Sequence, residues 1–233
     1  GNAFYQAVAA GTAPDFIVGS FTMMEKYISA GIVKPLNEYL DKWEDTPNLD
    51  KTYLDMFTRD GNVYGLPYEV TPMLFGYNKA LFAEAGIEAP PATWDEALEI
   101  ARKLNNPDKQ IAGYATLASE WTEWFFQYYV WQNADGTAEL TFADPAAIEA
   151  AEFYQTLSSE KLMQTDRTLK FNDLLEQFAQ GKIAMMPFAT DWVMDVANRG
   201  MDLDDLGLCL PPAGPSGKTA TAIAGSCYVI NAN

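Results

Sequence analysis

Short apolar runs bounded by glycine or proline alternate with capped helices along nearly the whole chain, and this alternation limits the fold more than any single residue does. Asp15-Phe16-Ile17-Val18-Gly19, set between Pro14 and a following helix, predicts a buried strand. The helix expected over residues 22–30 has Gly31 in place to end it. Residues 62–67 and 74–77 read as two further strands, and Asn78 is placed to cap the helix that closes at Gly86. Thr93-Trp94-Asp95-Glu96 spells a capping box, after which Trp94, Ala97, Leu98, Ala101 and Leu104 recur at helical spacing. Asp144-Pro145 is another helix start, with Ala150, Phe153, Tyr154 and Leu157 on the inner face. Leu174, Leu175 and Phe178 mark a helix closed by Gly181; a strand over 183–186 follows, then a helix capped by Thr190. Strands over 206–210 and 228–230 flank a loop dense in proline and glycine. The pattern predicts an α/β fold with largely parallel sheets.

Composition removes several functions. The 233 residues carry a formal net charge of −17 and no histidine. Such a surface argues against nucleic acid, which needs clustered Lys and Arg. Without histidine there is no imidazole base and no His-ligated zinc, and two cysteines cannot build a Cys-rich metal site. No apolar run of about 18 residues is present. The chain opens at Gly1-Asn2 on what reads as the last turns of a helix and closes in a strand, so an interior excerpt of a longer protein is expected.

Several motifs invite chemistry. Gly217-Lys218-Thr219 has the tail of a phosphate loop, but Pro212 stands where its first glycine belongs, and a surface turn is the better account. Asp202, Asp204 and Asp205 lack the spacing and closing glutamate of a calcium loop, and read as a solvated turn. Cys209 and Cys227 lie on strands either side of the breaker loop; they form either a disulfide, if those strands are neighbours, or two buried thiols. Glu69 and Glu120 have the residue type of a glycosidase pair, though spacing alone cannot set the separation that chemistry requires. Seven aromatics crowd the eleven residues from Trp121 to Trp131. Helical spacing assigns most of them to a core, and the excess suits the flat C–H faces of a sugar ring. Trp192 opens its helix, where free backbone N–H groups point outward, and is a second platform candidate.

An ordered series of signatures resembles the extracellular solute-binding proteins of ABC importers, the branch of maltose-binding protein. The series runs from Ala9-Ala10-Gly11 and Pro14-Asp15-Phe16-Ile17 through Gly31-Ile32-Val33-Lys34-Pro35-Leu36, residues 61–67 and Gly76-Tyr77-Asn78-Lys79. It continues through residues 90–96, 178–185 and 211–218. The resemblance implies a two-lobed α/β fold of the type II periplasmic-binding-protein kind, with the solute clamped between lobes. It places lobe 1 at residues 1–70, lobe 2 at 71–211 and a return segment to lobe 1 at 212–233. It also implies an incomplete chain, since family members carry a strand before the first residue here and helices after the last.

The same resemblance supplies ligand-binding candidates by position: Ser20, Phe21 and Thr22 after the first strand; Glu69 and Thr71 on a crossing strand; Ser119, Glu120, Trp121 and Trp124 at the aromatic helix; Thr190, Asp191 and Trp192 at a turn; Gly225 and Ser226 in the return. Gly19 and Thr22 stand where maltose binders commonly have a tryptophan and an aspartate. The implied function is capture of a mono- or oligosaccharide for import, without catalysis, cofactor or metal. The implied partner is a membrane permease, and the implied location is the periplasm or a lipid anchor outside the cytoplasmic membrane. A binder of polyamine or glycerol phosphate is the alternative, and a glycoside hydrolase a weaker one.

Overall fold

The computed structural model describes residues 2–117, 122–134, 143–164 and 168–232. The chain divides into two compact units, Gly1–Thr71 with Ile223–Asn233, and Pro72–Ala222.

The first unit contains α1 (Asn2–Ala9), β1 (Phe16–Ser20), α2 (Phe21–Ser29), α3 (Asn37–Leu40), α4 (Lys51–Asp55), β2 (Thr58–Arg59) and β3 (Asn62–Val63). It also holds residues 66–71 of β4 (Leu66–Asn78) and all of β7 (Ile223–Ile230). β1 runs antiparallel to β7, with Phe16 opposite Ile230 and Ser20 opposite Ser226, and β7 lies next to β4. Asp60 and Gly61 both take positive φ, 49° and 75°, the mirror-image turn that matches strand twist and joins β2 to β3. Strand alternation sends Cys227 and Val229 inward, where they meet Phe4, Met24, Tyr27, Val33 and Phe57. The other face is open: Phe16 is 62% and Val18 52% exposed. The expectation of a buried first strand is therefore corrected. β1 ends its sheet path, and among the described residues the helices of this unit pack on the face of Cys227 and Val229.

The second unit contains the rest of β4, α5 (Lys79–Glu84), α6 (Trp94–Leu104), α7 (Thr122–Asn133), α8 (Pro145–Ser159), α9 (Phe171–Ala179), β5 (Met185–Ala189), α10 (Val193–Asn198) and β6 (Leu206–Cys209). Capping follows the sequence. Thr93 Oγ1 accepts from the Glu96 N–H at 3.2 Å, while the Glu96 carboxylate reaches back to the Ala92 N–H at 2.6 Å. Asn78 and Asp144 cap α5 and α8. Thr190 does not act as a cap: Ala189 occupies that position, and a 3-10 turn over Thr190–Trp192 leads into α10. One contiguous core runs from Met73 and Phe75 through Tyr114, Tyr129, Phe153, Leu174 and Phe188. Among the described residues no helix is long and apolar enough to cross a membrane.

Two sequence expectations change here. The strand expected at 62–67 is divided between β3 and the start of β4, which runs on through 74–77, and the unit boundary falls within β4 between Thr71 and Pro72. Proline lacks an N–H, so a change of strand partner at that point breaks no ladder bond. Beyond it β4 pairs antiparallel with β5 and with β6. The expectation of largely parallel sheets is therefore corrected: β1 with β7, β2 with β3, and β4 with β5 and β6 all pair antiparallel. Single parallel bridges join Ala112 with Ile183 and Tyr114 with Met163. Residues 212–222, read as part of the return segment, pack with the second unit. Ala213 exchanges backbone bonds with Ala92 and Trp94, Ser216 N–H donates to Asn133, and Met73 N–H donates to Ala222.

Candidate functional site

In the first unit the candidates form two small groups. Ser20 ends β1 and Thr22 lies in the first turn of α2; their hydroxyls are 3.0 Å apart and exposed. Ser20 is the N-cap of α2, but its side chain makes no capping bond, so the first N–H groups of that helix are not taken up by it. Ser226 lies directly across from Ser20 in the strand register. Phe21 leans edge-on against Phe57 at 6.1 Å.

The second group sits on β4. Glu69 and Thr71 are two residues apart and so share a face of the strand. Thr71 is 4% exposed, and its hydroxyl donates to Glu69 Oε1 at 3.1 Å. The Glu69 residue itself is exposed. Gly225 on β7 lies against it: a Cβ there would meet the Glu69 carbonyl oxygen at 2.6 Å, so only glycine permits this approach. Alternation along β7 places Ser226 on the opposite face from Gly225. The two groups are thus neighbours in the sheet without sharing one face. The stretches that supply them, 15–22, 66–74 and 219–230, contain no Lys or Arg.

In the second unit Thr190 is partly buried, Asp191 exposed and Trp192 only 7% exposed. The Trp192 ring packs edge-on against Phe171 at 4.7 Å and Phe188 at 5.6 Å. It is part of the core of its unit before it is anything else. Ser119, Glu120 and Trp121 lie outside the described residues; Trp124 falls on α7, with its side chain likewise outside them. Of the aromatic run, Phe125, Tyr128 and Tyr129 are fully buried. Their phenols are engaged inside: Tyr128 donates to the Leu74 carbonyl at 2.9 Å and Tyr129 to Tyr114 at 3.1 Å. Burial holds all of these phenols well above their usual pKa.

The other motifs resolve as structure. Cys209 and Cys227 are free thiols in different units, on strands that do not pair. Cys227 is sealed against Met24, and burial pushes its thiol up to about 12. Asp202 caps the short turn over Leu203–Asp205 through the Asp204 N–H. Gly217 takes φ of +72° in a turn closed by its own N–H on Gly214. Among the described residues no cluster of three metal-ligating side chains occurs. Sequence reasoning passed over Tyr68, which is 56% exposed with its ring 4.9 Å from Tyr228. Its signal was the alternation in Tyr68-Glu69-Val70-Thr71.

Comparison with known proteins places this geometry in context. The family model described as bacterial extracellular solute-binding protein matches residues 1–233. A binding protein of Brucella abortus (strain 2308) is 31% identical over 225 residues, covering 92% of this chain and 53% of that protein. The sn-glycerol-3-phosphate-binding periplasmic protein of Agrobacterium fabrum is 25% identical over 203 residues, 80% of this chain and 45% of that protein. Among solved structures, an ABC transporter solute-binding protein from Thermotoga lettingae bound with alpha-D-tagatose superposes with a TM-score of 0.88. It is 24% identical, and the match covers 99% of this chain and 62% of that one. The chain spans about half the length of the curated relatives it matches.

Proposed function

The chain belongs to the bacterial extracellular solute-binding proteins, and from that premise we propose that it captures a neutral carbohydrate for an ABC importer and releases it unchanged. Its partner is the importer's membrane permease, and its place is outside the cytoplasmic membrane, in the periplasm or held there by a lipid anchor. No nucleic acid, cofactor or metal enters this reading. The observation that carries it is the Glu69–Thr71 pair: an exposed residue with its carboxylate held by a buried hydroxyl, in stretches that hold no cation.

A hydroxyl-rich solute gains charge-assisted hydrogen bonds from such a carboxylate. Ser20, Thr22 and Ser226, grouped where β1 meets β7 rather than on the face of Glu69, are the further donors and acceptors proposed. Phe21 offers an apolar edge, and Gly225 lets β7 come close. Thr190 and Asp191 are the contacts proposed for the second unit, with Trp192 buttressing them from within the core. Ser119, Glu120, Trp121 and Trp124 keep the roles that the family resemblance gives them.

A second reading, glycerol phosphate, is favoured by the Agrobacterium relative. Thermal-shift titration of the full-length protein separates the two, using alpha-D-tagatose, a mono- and oligosaccharide panel and sn-glycerol-3-phosphate. A ligand at 100 times its dissociation constant adds about 2.7 kcal/mol of stability. Stabilisation by sugar, with the sugar recovered intact by chromatography, is the expected result. Stabilisation by glycerol phosphate alone overturns the carbohydrate reading, and turnover above background overturns the reading as a pure binder.

A further inference from the structure

Resting on the carbohydrate reading above, we propose that Thr71 is a positioning residue that fixes the Glu69 carboxylate as a charge filter, admitting neutral polyhydroxyl solutes and rejecting phosphate monoesters. Thr71 is buried on the strand that carries Glu69, and its β-branched side chain has few rotamers to choose from. Its hydroxyl binds one carboxylate oxygen at 3.1 Å. An ionised carboxylate has about four acceptor positions. One is taken by Thr71, and the remaining positions of this exposed residue are the acceptors proposed for ligand hydroxyls.

Glycine at 225 is required by the 2.6 Å that would separate a Cβ from the Glu69 carbonyl oxygen, so the backbone on that side of Glu69 is fixed by the neighbouring strand as well. The stretches 15–22, 66–74 and 219–230 hold no Lys or Arg. Of the first-unit basic groups with ion-pair partners, Arg59 binds Glu25 and Lys51 binds Asp55, all outside the three stretches that build the site. A phosphate monoester there meets a fixed like charge, whereas a sugar hydroxyl meets an acceptor. Specificity of this kind comes as much from what is repelled as from what is held.

The test is calorimetry on the full-length protein and on its Thr71→Val, Thr71→Ser and Glu69→Gln variants, titrated with alpha-D-tagatose, a saccharide panel and sn-glycerol-3-phosphate. The wild type is expected to bind at least one neutral sugar and to reject glycerol phosphate. Thr71→Val should weaken the sugar about 3- to 10-fold, the scale of one hydrogen bond, with the thermal midpoint held. Thr71→Ser should restore affinity. Glu69→Gln should weaken the sugar and raise affinity for glycerol phosphate, and this exposed position reports even where Thr71→Val fails to fold. Sugar binding unchanged in Thr71→Val, or discrimination unchanged in Glu69→Gln, overturns the filter and leaves the carbohydrate reading standing. A wild type that binds glycerol phosphate and no sugar overturns both.

Discussion

In the second unit Phe75, Tyr114, Tyr129, Phe153 and Phe188 lie within one continuous core, and every residue of β5 is buried. In the first unit the core is split into two small clusters, and Phe16, Val18, Tyr68 and Tyr228 stand on an open sheet face. Both units use the same parts: a strand, a capped helix, a glycine stop. What differs, among the described residues, is how much of each sheet is covered. β4 is the clearest case, because a single strand serves both units. Its Glu69 is exposed, while Met73 and Phe75 a few residues later are completely enclosed.

The largest expected effect tests the sealed side. Phe188 packs on Phe178 and Trp192, and Gly76 lies directly beneath its ring. Phe188→Ala should cost about 3–5 kcal/mol by denaturant unfolding. Phe16→Ala, on the open face, should change stability by less than about 0.5 kcal/mol. Equal losses would erase the distinction between the units.

Trp192→Ala comes next. A ring 7% exposed and held by two phenylalanines should cost about 3 kcal/mol on removal. A thermal midpoint unchanged in Trp192→Ala would mean that the ring adds little to its core and would favour the platform role over the packing one.

Caps sharpen the comparison at smaller scale. Thr93→Ala removes the cap of α6, an eleven-residue helix with Trp94, Ala97 and Ala101 in the core, and should cost about 1 kcal/mol. Asp50→Ala removes the cap of α4, five residues with none buried, and should cost about 0.5 kcal/mol. The reverse order, measured by urea melts, would mean that the small clusters of the first unit lean on α4 more than their burial suggests.

The smallest effect on stability has a larger one on association. An exposed apolar patch invites contact with another surface. Phe16→Ser with Tyr228→Ser should change stability by less than about 0.5 kcal/mol while lowering any self-association seen by light scattering of this 233-residue chain. Association undiminished by the pair would mean that the open face is not the contact.

Local chemistry was legible wherever a rule acts within a few residues. Thr93, Asn78 and Asp144 cap the helices they announce, and Gly31, Gly86 and Gly181 take positive φ at helix ends. The family resemblance, carried by motifs spread across the chain, also stands. Thr190 is not a cap because the chain enters a 3-10 turn one residue earlier, which puts Ala189, with no polar side chain, at the cap position. Of the candidate site, the residue types on β4 were legible. Their bond, and the nearness of Gly225, were not, because 225 and 69 meet only through strand pairing.

Capping, glycine stops and apolar periodicity depend on neighbours along the chain, so the ends of α5, α6 and α8 and the family could be read before any folding was considered. The tertiary structure alone decided which strands pair and in which direction, so that β4 runs antiparallel to β5 and β6 where alternation suggested parallel sheets. It also decided which faces are buried. An apolar strand such as Phe16-Ile17-Val18 looks the same whether one face or two will be covered, and the helices that settle this come from elsewhere in the chain. For the same reason only the folded chain shows Trp192 held in a core and Glu69 held by Thr71. Burial and orientation are set by what lies across the sheet, not by what comes next in the chain.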